Sequence, residues 1–439
     1  MERLAYQSLK AWKSSSVRKP LVVQGARQVG KTYLLRSFGE KEYQNMVYLN
    51  FEENQGLREL FDGDLKPDKL VQNIAAYLAI AVFAEATLLF FDEIQLCPRA
   101  LTSLKYFYEQ APQYHIIAAG SLLGVSVGKT SSFPVGKVHF FHLYPLSFFE
   151  FLKAVKEDLL LSRISEEKTI ETLPDTLHNK LVELLRLYLY IGGMPEVVAN
   201  YVQSKDFLMV RELQKDILKA YERDFSKYTT ATESIRVSEI WQSIPAQLAR
   251  ENKKFKYSEI KKGGRASQFE SAVEWLRGAG LLYVSNCVSI AKLPLSGFTD
   301  YSRFKVYCLD CGLLGAMLNI PSKNAVLGES IFSEYNGAFT ENYVATELAS
   351  KSESKLYYWL SDGVAEVDFL VEYNQKIIPL EVKSGLKRNV KSLWVYEQKF
   401  KPDQVFRCSP RNFERNDKFV NIPLYAVGRF PEITGLQVI

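Results

Sequence analysis

The residues with the clearest capacity for chemistry form a glycine-rich segment, Gly25-Ala26-Arg27-Gln28-Val29-Gly30-Lys31-Thr32. Two glycines at this spacing, followed by lysine and threonine, are typical of a phosphate-binding loop (P-loop), whose backbone N–H groups surround a phosphate. Lys31 is expected to reach the outer phosphates, and the Thr32 hydroxyl to ligate magnesium. We therefore predict that this segment binds a nucleoside triphosphate.

The flanking sequence supports this prediction over a chance turn. Leu21-Val22-Val23-Gln24 is a short apolar run that predicts a buried strand directly before the glycines. The segment after Thr32 has helix-forming composition and ends at Gly39. A helix that starts at the loop directs the positive end of its dipole at the phosphate.

A second motif is the apolar run Thr87-Leu88-Leu89-Phe90-Phe91, which ends in Asp92 and Glu93. It predicts a buried parallel strand that delivers two carboxylates at its C-terminal end. Asp92 is expected to hold magnesium, directly or through water, and Glu93 to orient the water that attacks the γ-phosphate. The alternative is a solvated acidic turn. Ser121, after the next predicted strand, is a candidate γ-phosphate sensor or a turn serine.

A third set of candidate residues lies near the C-terminus. Glu341 falls on a predicted helix and Asp368 on a predicted strand, and a further strand ends in Glu381-Val382-Lys383. Residues two apart share one face of a strand, so Glu381 and Lys383 should point the same way. We expect Asp368 and Glu381 to hold Mg²⁺ and Lys383 to assist phosphodiester hydrolysis. The alternatives are chance edge charges or an inactive nuclease-like fold.

Composition sets broad limits on the chain. It has 439 residues, 47% of them hydrophobic, and a net charge of +5, which permits a nucleic-acid partner without requiring one. No apolar run or leader sequence indicates a membrane, so we expect a cytoplasmic protein with no membrane partner.

The five cysteines are too scattered for a disulfide framework. Cys308-Leu309-Asp310-Cys311 predicts a strand-to-helix junction with buried thiols rather than a zinc site.

Predicted strands alternate with helices in the N-terminal part, which indicates an α/β fold with a parallel sheet of about five strands. A helical lid should follow, then a winged helix, and then an α/β C-terminal domain. The candidate strands of the wing are Leu281–Val284 and Phe304–Tyr307. The predicted boundaries are 1–155, 156–230, 231–325 and 326–439.

Six basic residues cluster at the winged helix and could contact phosphate backbones: Lys253, Lys254, Lys256, Lys261, Lys262 and Arg265. A solvated basic surface or a protein-binding winged helix is the alternative.

With these residues in view, the chain resembles the AAA-type ATPases of prokaryotes that carry a C-terminal DUF4143 region. The segments that support the resemblance are Gln24–Thr32, Phe91–Gln95, Ala119–Ser121, Phe133–Val138, Leu143–Phe148, Gly192–Pro195 and Leu309–Leu313. The resemblance implies ATP binding and an α/β C-terminal region similar to the PD-(D/E)xK, or restriction-endonuclease-like, nuclease fold. Asp368, Glu381 and Lys383 fall on its motif positions. It supplies no substrate.

By analogy with such ATPases, Gly193 and Pro195 are expected where the lid meets the adenine. Lys137 stands where relatives often have an arginine that reaches a neighbouring subunit's γ-phosphate, which implies a homo-oligomer. Such an arginine is called an arginine finger. Lysine is expected to bind the phosphate less well, because it lacks the forked guanidinium. Arg99 and Arg223 are rival candidates.

Two functions remain open from the sequence. The first is an ATPase whose nucleotide state controls engagement of nucleic acid, with DNA favoured. The second is a nucleotide-switched scaffold of the STAND type, in which the C-terminal fold is an inert recognition module.

Overall fold

The structure is a computed structural model, and it describes residues 2–121, 134, 136–165, 171–250, 254–261, 263–320, 331–351, 355–361, 365–386 and 391–434. The chain folds into two compact units. The first unit comprises residues 2–144 with 278–280, and the second comprises 145–277 with 281–439. No helix in the described ranges has both the length and the apolar character needed to cross a lipid bilayer.

The first unit is a parallel sheet with helices. Its strands are β1 (Leu21–Gly25), β2 (Asn45–Asn50), β3 (Thr87–Asp92), β4 (His115–Ser121) and β5 (His139–His142). Their order is β2-β3-β4-β1-β5, and every pairing is parallel. The helices are α1 (Ala5–Ser14), α2 (Lys31–Glu42), α3 (Gly56–Glu59), α4 (Pro67–Leu78) and α5 (Pro98–Gln110). The predicted parallel five-stranded sheet is confirmed.

Apolar composition explains why the central strands form. β1 and β3 are buried along their whole length, as the continuous apolar runs predicted. On one side of the sheet Phe51, Phe61 and Phe91 pack edge to face, with ring centres 5.6, 6.0 and 5.7 Å apart. Burial of Phe91 fixes the end of β3, so that Asp92 emerges at the C-terminal edge of the sheet.

The second unit begins with helices. They are α6 (Phe148–Ala154), α7 (Asp158–Ser165), α8 (Asp175–Ile191), α9 (Pro195–Ser204), α10 (Phe207–Tyr228), α11 (Ala231–Leu248) and α12 (Ala266–Gly278), followed later by α13 (Cys311–Met317), α14 (Ile331–Lys351) and α15 (Lys391–Phe400). Side chains mark several helix starts. Ser147 with Glu150, and Thr230 with Glu233, form capping boxes at α6 and α11.

The strands of the second unit form one mixed sheet of eight. They are β6 (Leu282–Val288), β7 (Thr299–Cys308), β8 (Leu356–Leu360), β9 (Glu366–Tyr373), β10 (Lys376–Val382), β11 (Val405–Ser409), β12 (Glu414–Asn416) and β13 (Phe419–Pro423), in the order β12-β13-β11-β10-β9-β8-β6-β7. A mixed α/β C-terminal region is therefore confirmed.

The hairpin of β6 and β7 differs from the expected wing. β6 pairs with β7 on one side and, in parallel, with β8 on the other, so the hairpin extends the C-terminal sheet rather than standing apart from it. The sheet thus crosses the boundary that the sequence predicts near residue 325. The Cys308–Cys311 segment joins β7 to α13 with both thiols buried, as predicted.

Tyr144 is the last residue of the long segment of the first unit. Hydrogen bonds within the second unit hold the residues that follow it. The Leu146 N–H donates to the Gly193 carbonyl at 2.6 Å, and the Phe148 N–H donates to the Glu347 carboxylate at 2.9 Å. These bonds tie the start of α6 to the helical part that follows.

Candidate functional site

The P-loop lies between β1 and α2, as predicted. Gly30 has φ of 88° and Gln28 has φ of 64°, so the loop uses left-handed conformations to turn its backbone into the first turn of α2. A Cβ at Gly25 would stand 2.3 Å from the Leu143 carbonyl oxygen, which means that only glycine fits there. The loop therefore has the strand, glycines and helix start that an anion site requires.

Lys31 is buried and its ammonium lies against its own loop. It donates to the carbonyl oxygens of Gly25 at 3.0 Å and Ala26 at 2.8 Å. Burial lowers the pKa of Lys31 to about 8, against the opposing effect of the carboxylates of Glu93 and Asp92. A buried ammonium whose partners are neutral carbonyls is suited to accept an anion.

Thr32 and Asp92 are brought together although they are far apart in the sequence. The Thr32 hydroxyl donates to the Asp92 carboxylate at 2.8 Å, and the Tyr48 hydroxyl donates to the same oxygen at 2.9 Å. Tyr48 is on β2, whose residue Asn50 is in register with Asp92 on β3. The two motifs predicted separately from the sequence thus form one cluster of oxygen atoms.

Glu93 follows Asp92 in a left-handed conformation with φ of 52°. Its side chain accepts a hydrogen bond from the Gln95 amide, so Gln95 fixes its direction. The backbone of Ser121 is in register with Gly25 in the pairing of β1 with β4. The side chain of Ser121 lies outside the described part of the structure, and so do the residues that follow it up to 133.

The three finger candidates have different surroundings. Lys137 forms an ion pair with Glu109 at 3.0 Å. Arg99 donates to the carbonyls of Phe61 and Gly63 at 2.5 and 2.6 Å, so its guanidinium holds the chain after α3. Arg223 is exposed on α10 of the second unit.

Gly193 and Pro195 belong to the second unit. Pro195 is the first residue of α9, and the Gly193 N–H donates to the buried Asp310 carboxylate at 2.6 Å. Asp310 also caps α13 through the Leu313 N–H at 2.8 Å. A Cβ at Gly193 would lie 2.1 Å from the Leu146 carbonyl, so close packing accounts for this glycine.

The C-terminal candidates are also brought together. β9 and β10 are antiparallel neighbours, and the Val382 N–H of β10 donates to the Asp368 carboxylate at 2.8 Å. The Lys383 ammonium lies 2.5 Å from the Glu381 carboxylate, which confirms that these two side chains share a face. We call Glu341, Glu366, Asp368 and Glu381 the acidic cluster.

A residue that the sequence did not single out lies within the acidic cluster. Lys305, on β7, is 1% exposed, and its ammonium is 3.0 Å from Glu341 and 3.6 Å from Asp368. It also forms a close ion pair with Glu366. The Tyr307 hydroxyl donates to the same oxygen of Glu341 at 2.6 Å. Lys305 therefore pairs with Asp368, which the sequence assigned to metal binding, as well as with two further carboxylates.

Burial and charge shift the pKa values in this cluster. Burial, with the nearby Asp368 carboxylate, raises the pKa of Glu381 to about 8. Burial alone would lower the pKa of Lys305, but Glu341 and the neighbouring acids raise it well above its ordinary value. Within the described ranges, no three His, Cys, Asp or Glu side chains are arranged to hold a metal ion. The donor set of the cluster does not fit Mg²⁺, because an ammonium already lies among the carboxylates.

Four of the six clustered basic residues fall within the described residues, and Lys253 and Lys262 do not. Lys256, Lys261 and Arg265 are exposed, while Lys254 is half-buried. The segment is attached to the hairpin, because the Phe255 N–H donates to the Phe304 carbonyl at 2.8 Å. The three exposed side chains are accessible to an anionic surface.

Sequence reasoning missed Tyr48 and Gln95 as well as Lys305. Tyr48 could have been found from β2, since a polar residue near the end of a strand beside the acidic strand should reach Asp92. For Gln95 the sequence offered only a weak indication, its position two residues after Glu93. For Lys305 the sequence offered no indication, because its role depends on strand pairings that only the folded chain shows.

Three family matches cover most of the chain. Residues 17–152 match a family described as an AAA domain. Residues 182–324 match a domain of unknown function, DUF8612, and residues 336–427 match another, DUF4143. No curated protein matches the chain. The expected AAA-type domain and C-terminal DUF4143 region are thus confirmed.

Several solved structures are distantly similar. The Walker-type ATPase PABY2304 of Pyrococcus abyssi is 15% identical, with 71% of this chain and 94% of that chain covered and a TM-score of 0.43. The Aeropyrum pernix ORC1 protein in complex with DNA is 11% identical, with coverage of 72% and 91% and a TM-score of 0.30. A STAND protein from Pyrococcus horikoshii is 12% identical, with coverage of 80% and 48% and a TM-score of 0.27.

Proposed function

We propose that this chain, which carries an AAA domain over residues 17–152, binds ATP with Mg²⁺ at the P-loop and hydrolyses it. The observation that supports this most is the 2.8 Å hydrogen bond from Thr32 to Asp92, because it joins the phosphate loop to the acidic end of β3. A hydroxyl and a carboxylate are oxygen donors of the kind that Mg²⁺ takes, so this donor set fits the ion. The bound ion supplies positive charge against the phosphates.

The roles of the chain's own residues follow. The backbone N–H groups of residues 26–32 bind phosphate oxygens, and Lys31 exchanges its carbonyl partners for the outer phosphates. Glu93 accepts a hydrogen bond from the attacking water and orients it at the γ-phosphorus. Ser121 contacts the γ-phosphate or that water, a role that its register with Gly25 supports.

The nucleotide state, in this proposal, controls engagement of a nucleic acid, with DNA favoured. The exposed Lys256, Lys261 and Arg265 support this part, because clustered cations bind phosphate backbones through release of counterions. Assembly into a homo-oligomer supplies the finger in trans, from Lys137, Arg99 or Arg223. The adenine contact that the resemblance implies for Gly193 and Pro195 stays a prediction.

A second candidate is a nucleotide-switched scaffold whose C-terminal region recognises a partner without catalysis. The observation that favours it is the position of Lys305 within the acidic cluster. Both candidates share ATP binding by the first unit. They differ in whether DNA changes the rate of ATP hydrolysis.

Steady-state ATP hydrolysis by the full chain, with and without duplex, forked and single-stranded DNA, separates the two. The first candidate predicts stimulation by at least one form of DNA, and indifference to all of them favours the scaffold. Replacing both Lys261 and Arg265 by alanine should reduce the stimulation, whereas the exposed Lys219→Ala on α10 is the matched control. Glu93→Gln should abolish turnover in every condition while ATP still binds, since the amide keeps the shape but loses the charge.

A further inference from the structure

Lys305 lies among the carboxylates of the acidic cluster. Its side chain is 1% exposed, and its ammonium is within 3.0 Å of Glu341 and 3.6 Å of Asp368. The ammonium is also 5.1 Å from the ring centre of Tyr358 on β8, the strand between β6 and β9. The lysine is therefore held by contacts from a helix and two strands.

Burying an ammonium is costly unless carboxylates pair with it. Here the neighbouring acids keep Lys305 protonated, as its raised pKa indicates. The other carboxylate oxygens of the cluster are partly committed as well. Asp368 accepts from the Val382 N–H, and Glu381 accepts from Lys383. Lys305 and Lys383 together supply two positive charges to the buried Glu341 and Glu381 and the adjacent Asp368.

We infer that the Lys305 ammonium is the resident cation of the acidic cluster and excludes a divalent metal ion, so that the DUF4143 region does not cleave phosphodiesters by a metal-dependent route. This inference concerns the second unit and does not depend on ATP binding by the first. Sequence motifs alone assign the opposite role to Asp368, Glu381 and Lys383. The difference arises from one residue that β7 contributes.

Removing the ammonium should create a metal site. Lys305→Met nearly keeps the length of the side chain and deletes its charge, so the acidic cluster loses one of the two lysine charges beside it. One oxygen of Glu381, Oε2, is buried without a hydrogen-bond partner among the described residues and is available as a ligand. Carboxylate oxygens are the donors that Mn²⁺ and Mg²⁺ prefer. We expect the variant to bind one additional Mn²⁺.

The experiment counts Mn²⁺ bound to the full chain by electron paramagnetic resonance, without nucleotide. It compares wild type, Asp368→Asn, Lys305→Met and Lys305→Met with Asp368→Asn. Any Mn²⁺ at the P-loop is common to all four proteins. We expect wild type and Asp368→Asn to bind equally, and Lys305→Met to gain one Mn²⁺ that the double variant loses.

Lys376→Met is the matched control, since that lysine is on β10 of the same sheet but pairs with the exposed Asp403. It should bind Mn²⁺ as wild type does. A folded Lys305→Met that gains no Mn²⁺ overturns the inference. If Lys305→Met does not fold, the comparison of wild type with Asp368→Asn still decides: a Mn²⁺ present in wild type and lost in Asp368→Asn shows that the lysine does not exclude the metal.

Discussion

Lys31 illustrates how a single buried charge prepares a phosphate site. Its ammonium is held by the carbonyl oxygens of Gly25 and Ala26, and burial lowers its pKa to about 8. Neutral carbonyls compensate a buried ammonium less well than a phosphate does. In the proposed function, transfer of the ammonium from the loop carbonyls to the triphosphate is therefore favourable.

Tyr48 offers a test of the link between the P-loop and the acidic strand. Its hydroxyl donates to the same Asp92 oxygen as Thr32, and Asp92 is buried. Tyr48→Phe removes one donor from a buried carboxylate, so we expect the free energy of unfolding to fall by about 1–2 kcal/mol. Urea denaturation followed by circular dichroism measures the change.

Tyr77→Phe is the control for Tyr48→Phe. The Tyr77 hydroxyl is exposed and bonds to Asn54 at 3.2 Å, so its removal should leave the free energy of unfolding nearly unchanged. Equal losses in the two variants are inconsistent with a special role for the Tyr48 to Asp92 bond.

Lys305 shows the limit of sequence reasoning for single residues. The spacing of Glu381 and Lys383 predicted their shared face, because that relation is local to one strand. Lys305 is 36 positions before Glu341, and their contact depends on how β7 meets α14. A long-range ion pair of this kind cannot be predicted from the spacing of residues in the sequence.

Among the structural elements, the turn from β1 into the P-loop is closely packed. A Cβ at Gly25 would stand 2.3 Å from the Leu143 carbonyl oxygen and 3.2 Å from Val29. Gly25→Ala must displace backbone, so we expect a loss of about 1–3 kcal/mol in stability and weaker ATP binding. Differential scanning calorimetry and ATP titration measure the two effects.

Gly63→Ala is the matched control, since a Cβ there meets no atom within 4 Å. It should retain both stability and ATP affinity. A Gly25→Ala protein with the thermal stability and ATP affinity of wild type would show that the loop has room to relax.

The start of α6 should make the second unit sensitive to pH. Burial raises the pKa of Glu347 to about 7, against the opposing effects of the Phe148 N–H and Lys351. The folded state therefore holds this proton more tightly than the unfolded chain does. Its contribution to stability is complete below pH 4.5 and is lost as pH rises through about 7, a change of about 3 kcal/mol.

Glu347→Gln cannot titrate, so that part of the pH dependence should disappear. Urea unfolding at pH 5 and pH 7.5 measures it for wild type and the variant. We expect the free energy of unfolding of wild type to fall more between the two pH values than that of the variant. Parallel changes in both proteins would mean that Glu347 has an ordinary pKa.

The elements of the first unit followed from the sequence more completely than those of the second. β1 and β3 are apolar runs that are buried along their whole length, and burial on both faces requires that pattern. The hairpin of β6 and β7 was also predicted as a pair of strands. Its attachment to β8 was not, because pairing partners depend on backbone geometry beyond the hairpin.

At the scale of the whole molecule, the chain combines an AAA domain with a C-terminal sheet that contains an acidic cluster and its own lysine. The proposed ATPase and the proposed metal exclusion concern different units and are tested by different ligands. Failure of Mn²⁺ exclusion would leave ATP binding untouched. Failure of ATP binding would remove the basis for any nucleotide-controlled function.

The most direct test is isothermal titration of ATP with Mg²⁺ into the full chain and into Lys31→Ala. We expect one ATP per chain for wild type and a loss of affinity of at least tenfold for the variant, because the variant lacks the ammonium that pairs with the outer phosphates. Absence of ATP binding by wild type, or equal affinity in the two proteins, would contradict the assignment of the P-loop as a nucleotide site.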